Sequence, residues 1–453
     1  MKYYLDPFGC VKNQVDAENM MAFLDHGGWT MAENAEDADL VIVNSCGFIE
    51  SAKRESINAV LSWRKLYPEK KIILAGCLAQ SYAKDLAVNL PEADGLFGIN
   101  DLSGIVQVAN DTIGNNHGET RRKKGKIIKS TSIVINTGNR PLLSVAGTAY
   151  VKISEGCDNR CSFCAIPLIR GKLKSRAIQD VVKECKTLLS RGIKELCLIG
   201  QDTGSYGTDW NVSVTALPVL MEAIAALERD FRVRLLYTHP DHFPLSILDI
   251  IEHDKRFLPY FDIPFQHGSD KLLKAMNRQL GSDAYLDLIR TIRHRLPDAV
   301  IRSTFMTGFP GETEEDFALL LNFQKKAALD WMGCFAYSRE EDTPSYRLKP
   351  RVTKKTAAER KQLVEELQIP ITEKAMNRFI GRTFDVLIEE EFEPLTSSPE
   401  ETSDSLYLGR LPCHTPEVDG VAVIFSSGPL VLGALVPCRV VARRGFDLEV
   451  RVI

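Results

Sequence analysis

Three cysteines crowd the stretch EGCDNRCSFCAIP, residues 155 to 167: Cys157, Cys161 and Cys164, spaced CxxxCxxC. With 11 Cys in 453 residues, such a triplet arises by chance with a probability of about 0.006, so it calls for a cause. Three causes compete. A structural zinc site wants four ligands, usually as two close pairs, and no CxxC or HxxxH partner pair lies downstream. Plain burial treats each thiol as a small hydrophobe. An iron-sulfur cluster held by three thiolates leaves one iron without a protein ligand, and an open iron is a place for chemistry.

Three more thiols stand apart in the first 80 residues: Cys10 in DPFGC, Cys46 in IVNSCGF and Cys77 in ILAGC. Each comes just after an expected parallel strand. In an open α/β sheet the loops beyond the carboxyl ends of the strands form a common crevice, so cysteines distant in sequence can meet there. The neighbours Gly9, Gly47 and Gly76 would let backbone approach a bulky inorganic group. The trio is either three separately buried thiols or a second cluster site with three ligands and one open iron. The other five, Cys185, Cys197, Cys334, Cys413 and Cys438, have no such arrangement and read as core residues.

The elements that must position these thiols follow from the alternation of apolar runs. Up to about residue 115, strands KYYLDPF, ADLVIVN and KKIILAG alternate with helices expected over Val15–His26 and Ser51–Leu66 and after Gly76, which predicts a parallel α/β sheet. Residues 118–142 lose the periodicity and carry RRKKGKIIK, which reads as a linker or exposed hairpin. From residue 143 to 378 the alternation resumes with GTAYVKIS, KELCLIG, RVRLLYTH, YFDIPF, AVIRSTFM and MGCFAYS. Six strand-helix units fit a partial (βα)6 barrel. A helical stretch from Lys354 to about Asn377 closes this part, with Pro370 expected to bend or interrupt it. Residues 379–453 switch to short β-rich runs, which suggest a small antiparallel β-barrel of the OB type. The fold class is therefore α/β with a β-barrel appended.

Composition excludes some functions. A hydrophobic share of 44% and a charged share of 26% are ordinary for a soluble protein. No apolar run reaches the roughly 18 residues that a bilayer requires, and no signal-like segment opens the chain, so a cytoplasmic protein without a membrane role is expected. The net charge of −4 names no partner, but its distribution does. From Phe379 to Ile453 there are 12 acidic residues against six Arg, a balance of −6. Such a domain is poorly suited to gripping phosphates and suits a basic protein partner, unless EEEFEPLTSSPEETSD is simply a solvated acidic loop.

CxxxCxxC in a loop after the first strand of a βα barrel resembles the radical S-adenosylmethionine (SAM) enzymes. The resemblance implies a 4Fe-4S cluster whose open iron binds SAM and whose electron releases a 5′-deoxyadenosyl radical. With both trios in view, the whole chain resembles the methylthiotransferases, which combine an N-terminal methylthiotransferase domain, a radical SAM domain and a C-terminal TRAM domain. GCVKNQVDAE, VNSCGFIESA, GCLAQ, EGCDNRCSFCAIPLIRGKLKSR, DIPFQHGSDKLLKAMNR, MTGFPGETEEDF and YSREEDTPS carry the likeness. It implies two 4Fe-4S clusters, one on Cys10, Cys46 and Cys77 and one on Cys157, Cys161 and Cys164. GCVKNQVDAE and IPFQHGS resemble the ribosomal, RimO-like branch, although Val11 and His239 depart from its usual Pro and Tyr. That branch implies methylthiolation of the β-carbon of an aspartate in ribosomal protein S-twelve, free or in the small subunit, with an electron donor such as flavodoxin or ferredoxin. Transfer to tRNA adenosine is the same-chemistry alternative, and a non-catalytic iron-sulfur protein that binds the ribosome is the alternative from another class.

Further candidates lie after barrel strands. The resemblance places GFPGE, with Gly308, Pro310 and Gly311, against SAM, where a simple tight turn is the other reading. Gln201 in LIGQD faces the same pocket in this reading. His239 and His267 read as hydrogen-bonded structural residues. Hydrogen abstraction by a carbon radical needs no general base, so no catalytic acid or base is named. Arg170, Lys172, Lys174 and Arg176 are candidates to hold the substrate carboxylate.

Overall fold

A computed structural model describes residues 1–114, 139–210, 214–392 and 405–453. RRKKGKIIK and the acidic stretch from residue 393 to 404 lie outside the described residues. The chain divides into two compact units. One comprises Met1–Leu143, Ser154–Lys174 and Ser338–Tyr346; the other comprises Ser144–Ile153, Ser175–Tyr337 and Arg347–Ile453.

The first unit is built on β1 (Lys2–Pro7), α1 (Val11–His26), β2 (Thr30–Met31), β3 (Leu40–Ser45), α2 (Glu50–Leu66), β4 (Lys71–Gly76), α3 (Cys77–Asn89), β5 (Gly95–Phe97) and α4 (Ile105–Gly114). The strands pair in parallel in the order β2-β1-β3-β4-β5. LVIVNS and KIILAG are buried at every position, as central strands covered on both faces must be. Alternate side chains go to opposite faces: Leu5, Ile42 and Ile73 pack with Met20 and Ala109, whereas Val41, Val43 and Ile72 pack with Val60 and Leu86. Helix α1 starts four residues before the expected Val15. Cys10 is extended (φ −87°, ψ 169°) and serves as its N-terminal flank, so the helix begins at once behind the thiol.

Next come β6 (Thr148–Lys152), β7 (Ser154–Glu155), α5 (Ile166–Arg170), β8 (Lys174–Ser175), α6 (Ile178–Ser190), β9 (Glu195–Ile199), α7 (Leu217–Ala225) and β10 (Arg232–Leu235). They are followed by α8 (Ile247–His253), β11 (Phe257–Asp262), α9 (Asp270–Ala275), α10 (Ser282–Arg295), β12 (Val300–Thr307), α11 (Glu314–Ala327), β13 (Trp331–Ala336) and α12 (Lys354–Asn377). In the second unit the six expected strands form one parallel sheet in chain order, β6-β9-β10-β11-β12-β13, the partial barrel. Pro370 does not interrupt α12. Side-chain bonds anchor the helix around it: Gln324 Nε2 donates to Val364 O, Gln368 Nε2 to Leu329 O and Thr372 Oγ1 to Asp330 O. Those contacts offset the roughly 3 kcal/mol that an interior Pro costs.

The end domain consists of β14 (Thr383–Phe392), β15 (Ser405–Arg410), β16 (Ala422–Ser426), β17 (Leu435–Arg444) and β18 (Asp447–Val452). They close a barrel in the order β14-β15-β16-β18-β17, antiparallel except for the parallel pair β16 and β18. The segment after β15 docks on the amino ends of the large sheet's strands. Arg234 Nη1 donates to Pro412 O (3.0 Å), Trp331 Nε1 to Cys413 O (2.8 Å) and Tyr260 Oη to Asp419 (2.6 Å).

Three histidines of this unit, His239, His267 and His414, are buried, and burial first of all pushes each pKa down to about 3. Each therefore stays neutral in the folded chain while its unfolded counterpart protonates near pH 6.5. Their contribution is full above about pH 6.5 and is lost as pH falls toward 3. A His414→Gln variant, read by denaturant midpoint at several pH values, should show a shallower loss of stability between pH 6.5 and 4.

Candidate functional site

Cys10, Cys46 and Cys77 stand at the carboxyl ends of three adjacent strands, β1, β3 and β4. Cys10 precedes α1, Cys46 follows β3 directly and Cys77 is the first residue of α3. Asn13 ties the three loops. Its Nδ2 donates to Ser45 O (2.8 Å), its Oδ1 accepts from the Cys77 thiol (3.0 Å), and its carbonyl accepts from Asn44 Nδ2 (2.9 Å).

The glycines beside the thiols keep the crevice open by having no Cβ. One on Gly9 would stand 3.1 Å from Cys46 Cβ, and one on Gly47 would stand 2.9 Å from the Cys77 carbonyl group. Gly76 is at φ +98°, where a side chain is strained, and its Cβ would meet Ser45 O at 2.5 Å. Gly76→Ala should therefore cut bound iron by about half without touching SAM cleavage, as measured by iron assay and by 5′-deoxyadenosine release.

Burial raises the Cys46 thiol and pushes Cys77 up to about 12, while Arg170 opposes the shift at both. Burial disfavours the bare thiolates, and a metal taking the place of the proton would supply the charge that ionisation needs.

The second trio lies in the same compact unit, between β7 and α5. Cys157, Cys161 and Cys164 are all half-buried. Cys157 N donates to Gly171 O (3.2 Å), Cys164 N to Cys161 O (3.1 Å) and Leu173 N to Asp158 Oδ1 (3.1 Å), which folds the segment into a closed loop. Behind it, Ala165 and Ile169 of the α5 region pack on Cys77 together with Ile99. The strap Ser338–Tyr346 reaches both regions: Glu340 pairs with Lys53 of α2, and Ser345 N donates to Ser162 O (2.9 Å).

The donor set fits clusters. All six residues are thiols, no disulfide joins any of the eleven cysteines, and each trio offers three soft ligands. Among the described residues no three His, Cys, Asp or Glu side chains surround a single-ion position. A cubane presents each thiolate with a different iron, so its ligands need not converge on one point. The other five cysteines are buried core residues, as expected.

The remaining candidates sort less evenly. Gln201 is half-buried just past β9. Its neighbour Asp202 would be raised by burial, but a hydrogen bond from His242 (2.8 Å), the electrostatic attraction of His242 and His239 and a bond from Ser205 together outweigh that and hold it below the usual carboxylate range. The turn Gly308–Gly311 follows β12, and its backbone is already engaged: the Gly308 and Phe309 amides donate to Glu312, and the Gly311 amide donates to Pro350 O. His239 accepts from Asp241 N and Arg278, and His267 accepts from Ser269 N, so both are structural in the first instance.

Of the four basic residues offered for a substrate carboxylate, two are committed elsewhere. Arg176 pairs with Glu184 (2.6 Å), and Arg170 is saturated inside the first unit. Lys172 and Lys174 remain exposed. Sequence reasoning missed Asn13, Asp16 and the bridging role of Arg170. It also missed the left-handed backbone of Tyr237 (φ 62°) and Gln266 (φ 70°) at the carboxyl ends of β10 and β11, where strain collects at functional rims.

Family models match in three places: Uncharacterized protein family UPF0004 over residues 2–98, the Radical SAM superfamily over 151–323 and the TRAM domain over 380–453. Among described residues no helix is long and apolar enough to cross a membrane. A solved radical SAM methyltransferase, TsrM from Kitasatospora setae, shares the fold with a TM-score of 0.54 at 14% identity, covering 76% of this chain and 74% of that one. The ribosomal protein uS12 methylthiotransferase RimO of Treponema denticola is 44% identical, covering 98% of this chain and 99% of that protein. Its counterpart from Thermosipho africanus is 39% identical over the full length of both. Matches of this identity across all three domains leave one assignment: the chain belongs to the RimO family of ribosomal protein uS12 methylthiotransferases.

Proposed function

We propose that this chain inserts a methylthio group at the β-carbon of an aspartate in ribosomal protein uS12, the S-twelve of the sequence reading, using SAM and two 4Fe-4S clusters. Cys157, Cys161 and Cys164 would hold the SAM-binding cluster, and Cys10, Cys46 and Cys77 the auxiliary one. Bound there, the two clusters and SAM supply the radical and the methylthio sulfur, which is chemistry the polypeptide lacks.

The chain's own part is to hold, orient and shield. Asn13 fixes the three loops of the auxiliary trio relative to one another, and the strap Ser338–Tyr346 clamps the loop of the other. Gln201, Gly308, Pro310 and Gly311 are the SAM contacts in this reading. The observation that carries it is that both trios fall in one compact unit, with the α5 segment behind the second trio packed on Cys77 of the first.

The acidic end domain supports a basic protein substrate over tRNA, although Glu389 and Asp419 are turned inward onto Arg410 and Arg302 and add nothing to the surface charge. We place the reaction in the cytoplasm, on free uS12 or on the small subunit, with reduction by a flavodoxin or ferredoxin. Mass spectrometry of uS12 and of tRNA from a deletion strain tests the reading. The modification should vanish from uS12 and return with the wild-type gene; its loss from tRNA instead would refute the assignment.

A further inference from the structure

Arg170 ends α5, six residues past Cys164, and its side chain is 2% exposed. The fork is divided between two kinds of partner. Nη1 faces carboxylates, Asp16 Oδ2 at 3.0 Å and Glu155 Oε1 at 2.9 Å. Nη2 donates to Asn13 Oδ1 at 2.6 Å and to Cys77 Sγ at 3.1 Å. Two carboxylates thus hold one side of the fork while a donor on the other is aimed at sulfur, an arrangement that suits a planar guanidinium better than an ammonium. Asp16 and Asn13 lie on α1 behind Cys10, and Glu155 lies two residues before Cys157, so one buried side chain of the second trio's segment joins both trios.

A hydrogen bond and a positive charge at a ligating sulfur stabilise the more negative, reduced state of an iron-sulfur cluster. We propose that Arg170 is a positioning residue for the cluster on Cys10, Cys46 and Cys77, donating to the Cys77 sulfur and raising that cluster's reduction potential above what the three thiolates alone would set. This rests on the ligand assignment made above. Packing alone would give Arg170 a role in retaining iron but none in setting a potential.

The test is an EPR-monitored redox titration of the anaerobically reconstituted full chain, alone and in a Cys157→Ala background that leaves only the cluster in question. Three variants are compared with wild type: Arg170→Lys, Arg170→Gln, and Arg170→Gln combined with Asp16→Asn, which removes a carboxylate that would otherwise be buried unpaired. The midpoint of the auxiliary cluster should fall from wild type to Arg170→Lys and further in Arg170→Gln, with the double variant above Arg170→Gln because it also loses a nearby negative charge, while the midpoint of the other cluster stays put. A wild-type midpoint in either single variant that keeps its iron would overturn the proposal, as would equal shifts of both clusters. Loss of the cluster even from Arg170→Lys would overturn it too, by leaving Arg170 a packing role only. Cys77→Ala separates the two readings: retention of all of about eight irons there would sink the ligand assignment itself, whatever Arg170 does.

Discussion

Replacing Cys157 with Ala is expected to lower bound iron from about eight to about four per chain and to abolish reductive cleavage of SAM entirely. The two trios proposed as ligands are separate, one spread over the ends of β1, β3 and β4 and the other confined to a single closed loop, so the loss should stay with one cluster. The reciprocal change, Cys46→Ala, should lose the same amount of iron yet keep SAM cleavage, because the proposed assignment gives the SAM-binding iron to the other trio. Iron assay and 5′-deoxyadenosine release read the two variants side by side. If Cys157→Ala stripped all the iron, the chain would hold one cluster and the two-site account would fail.

The second large effect concerns Glu195, which opens β9 and is fully buried. It pairs with Arg232, with Arg234 (3.1 Å) and with Arg410 of the end barrel (2.7 Å), and all three guanidiniums are at most 6% exposed. Burial alone would raise its pKa, but the three arginines outweigh burial and hold the carboxyl well below the usual range. Glu195→Gln leaves three desolvated cations around a neutral amide, a loss of about 3–5 kcal/mol. The denaturant midpoint should drop accordingly, and limited proteolysis should release the end barrel at protease levels that leave wild type intact. The linkage has the usual carboxylate sign: the contribution is complete above about pH 4.5 and fades only as pH falls through the depressed folded value. Stability lost by this variant should therefore be nearly constant from pH 8 down to 5.

These two sites differ in how far the sequence exposes them. The six thiols proposed as ligands stand out by a spacing or a repeated context, a short CxxxCxxC run in one case and a thiol after each of three parallel strands in the other. The apolar patterns of the strands in the first sheet, the partial barrel and the end domain are equally plain where runs such as LVIVNS are buried on both faces. Less was legible where tertiary partners decide. GLF of β5 is three residues long and carries no period, and Pro370 argues against a helix that Gln324, Gln368 and Thr372 hold together. Arg170 and Arg176 look like spare cations in IRGKLKSR, yet each is committed to carboxylates distant by up to 154 positions in sequence or close by on α6. Glu195 lies in KELCLIG, and the run itself does not show the partners that bury it. Arg232, Arg234 and Arg410 together explain why a charge can be buried there, and the last of them returns from a domain more than 200 residues later.

The most direct measurement is anomalous scattering at the iron edge from a crystal grown without oxygen. The account predicts two four-iron peaks in one unit, one against the sulfurs of Cys10, Cys46 and Cys77 and one against those of Cys157, Cys161 and Cys164. A single peak, or zinc in place of iron at either trio, would contradict it.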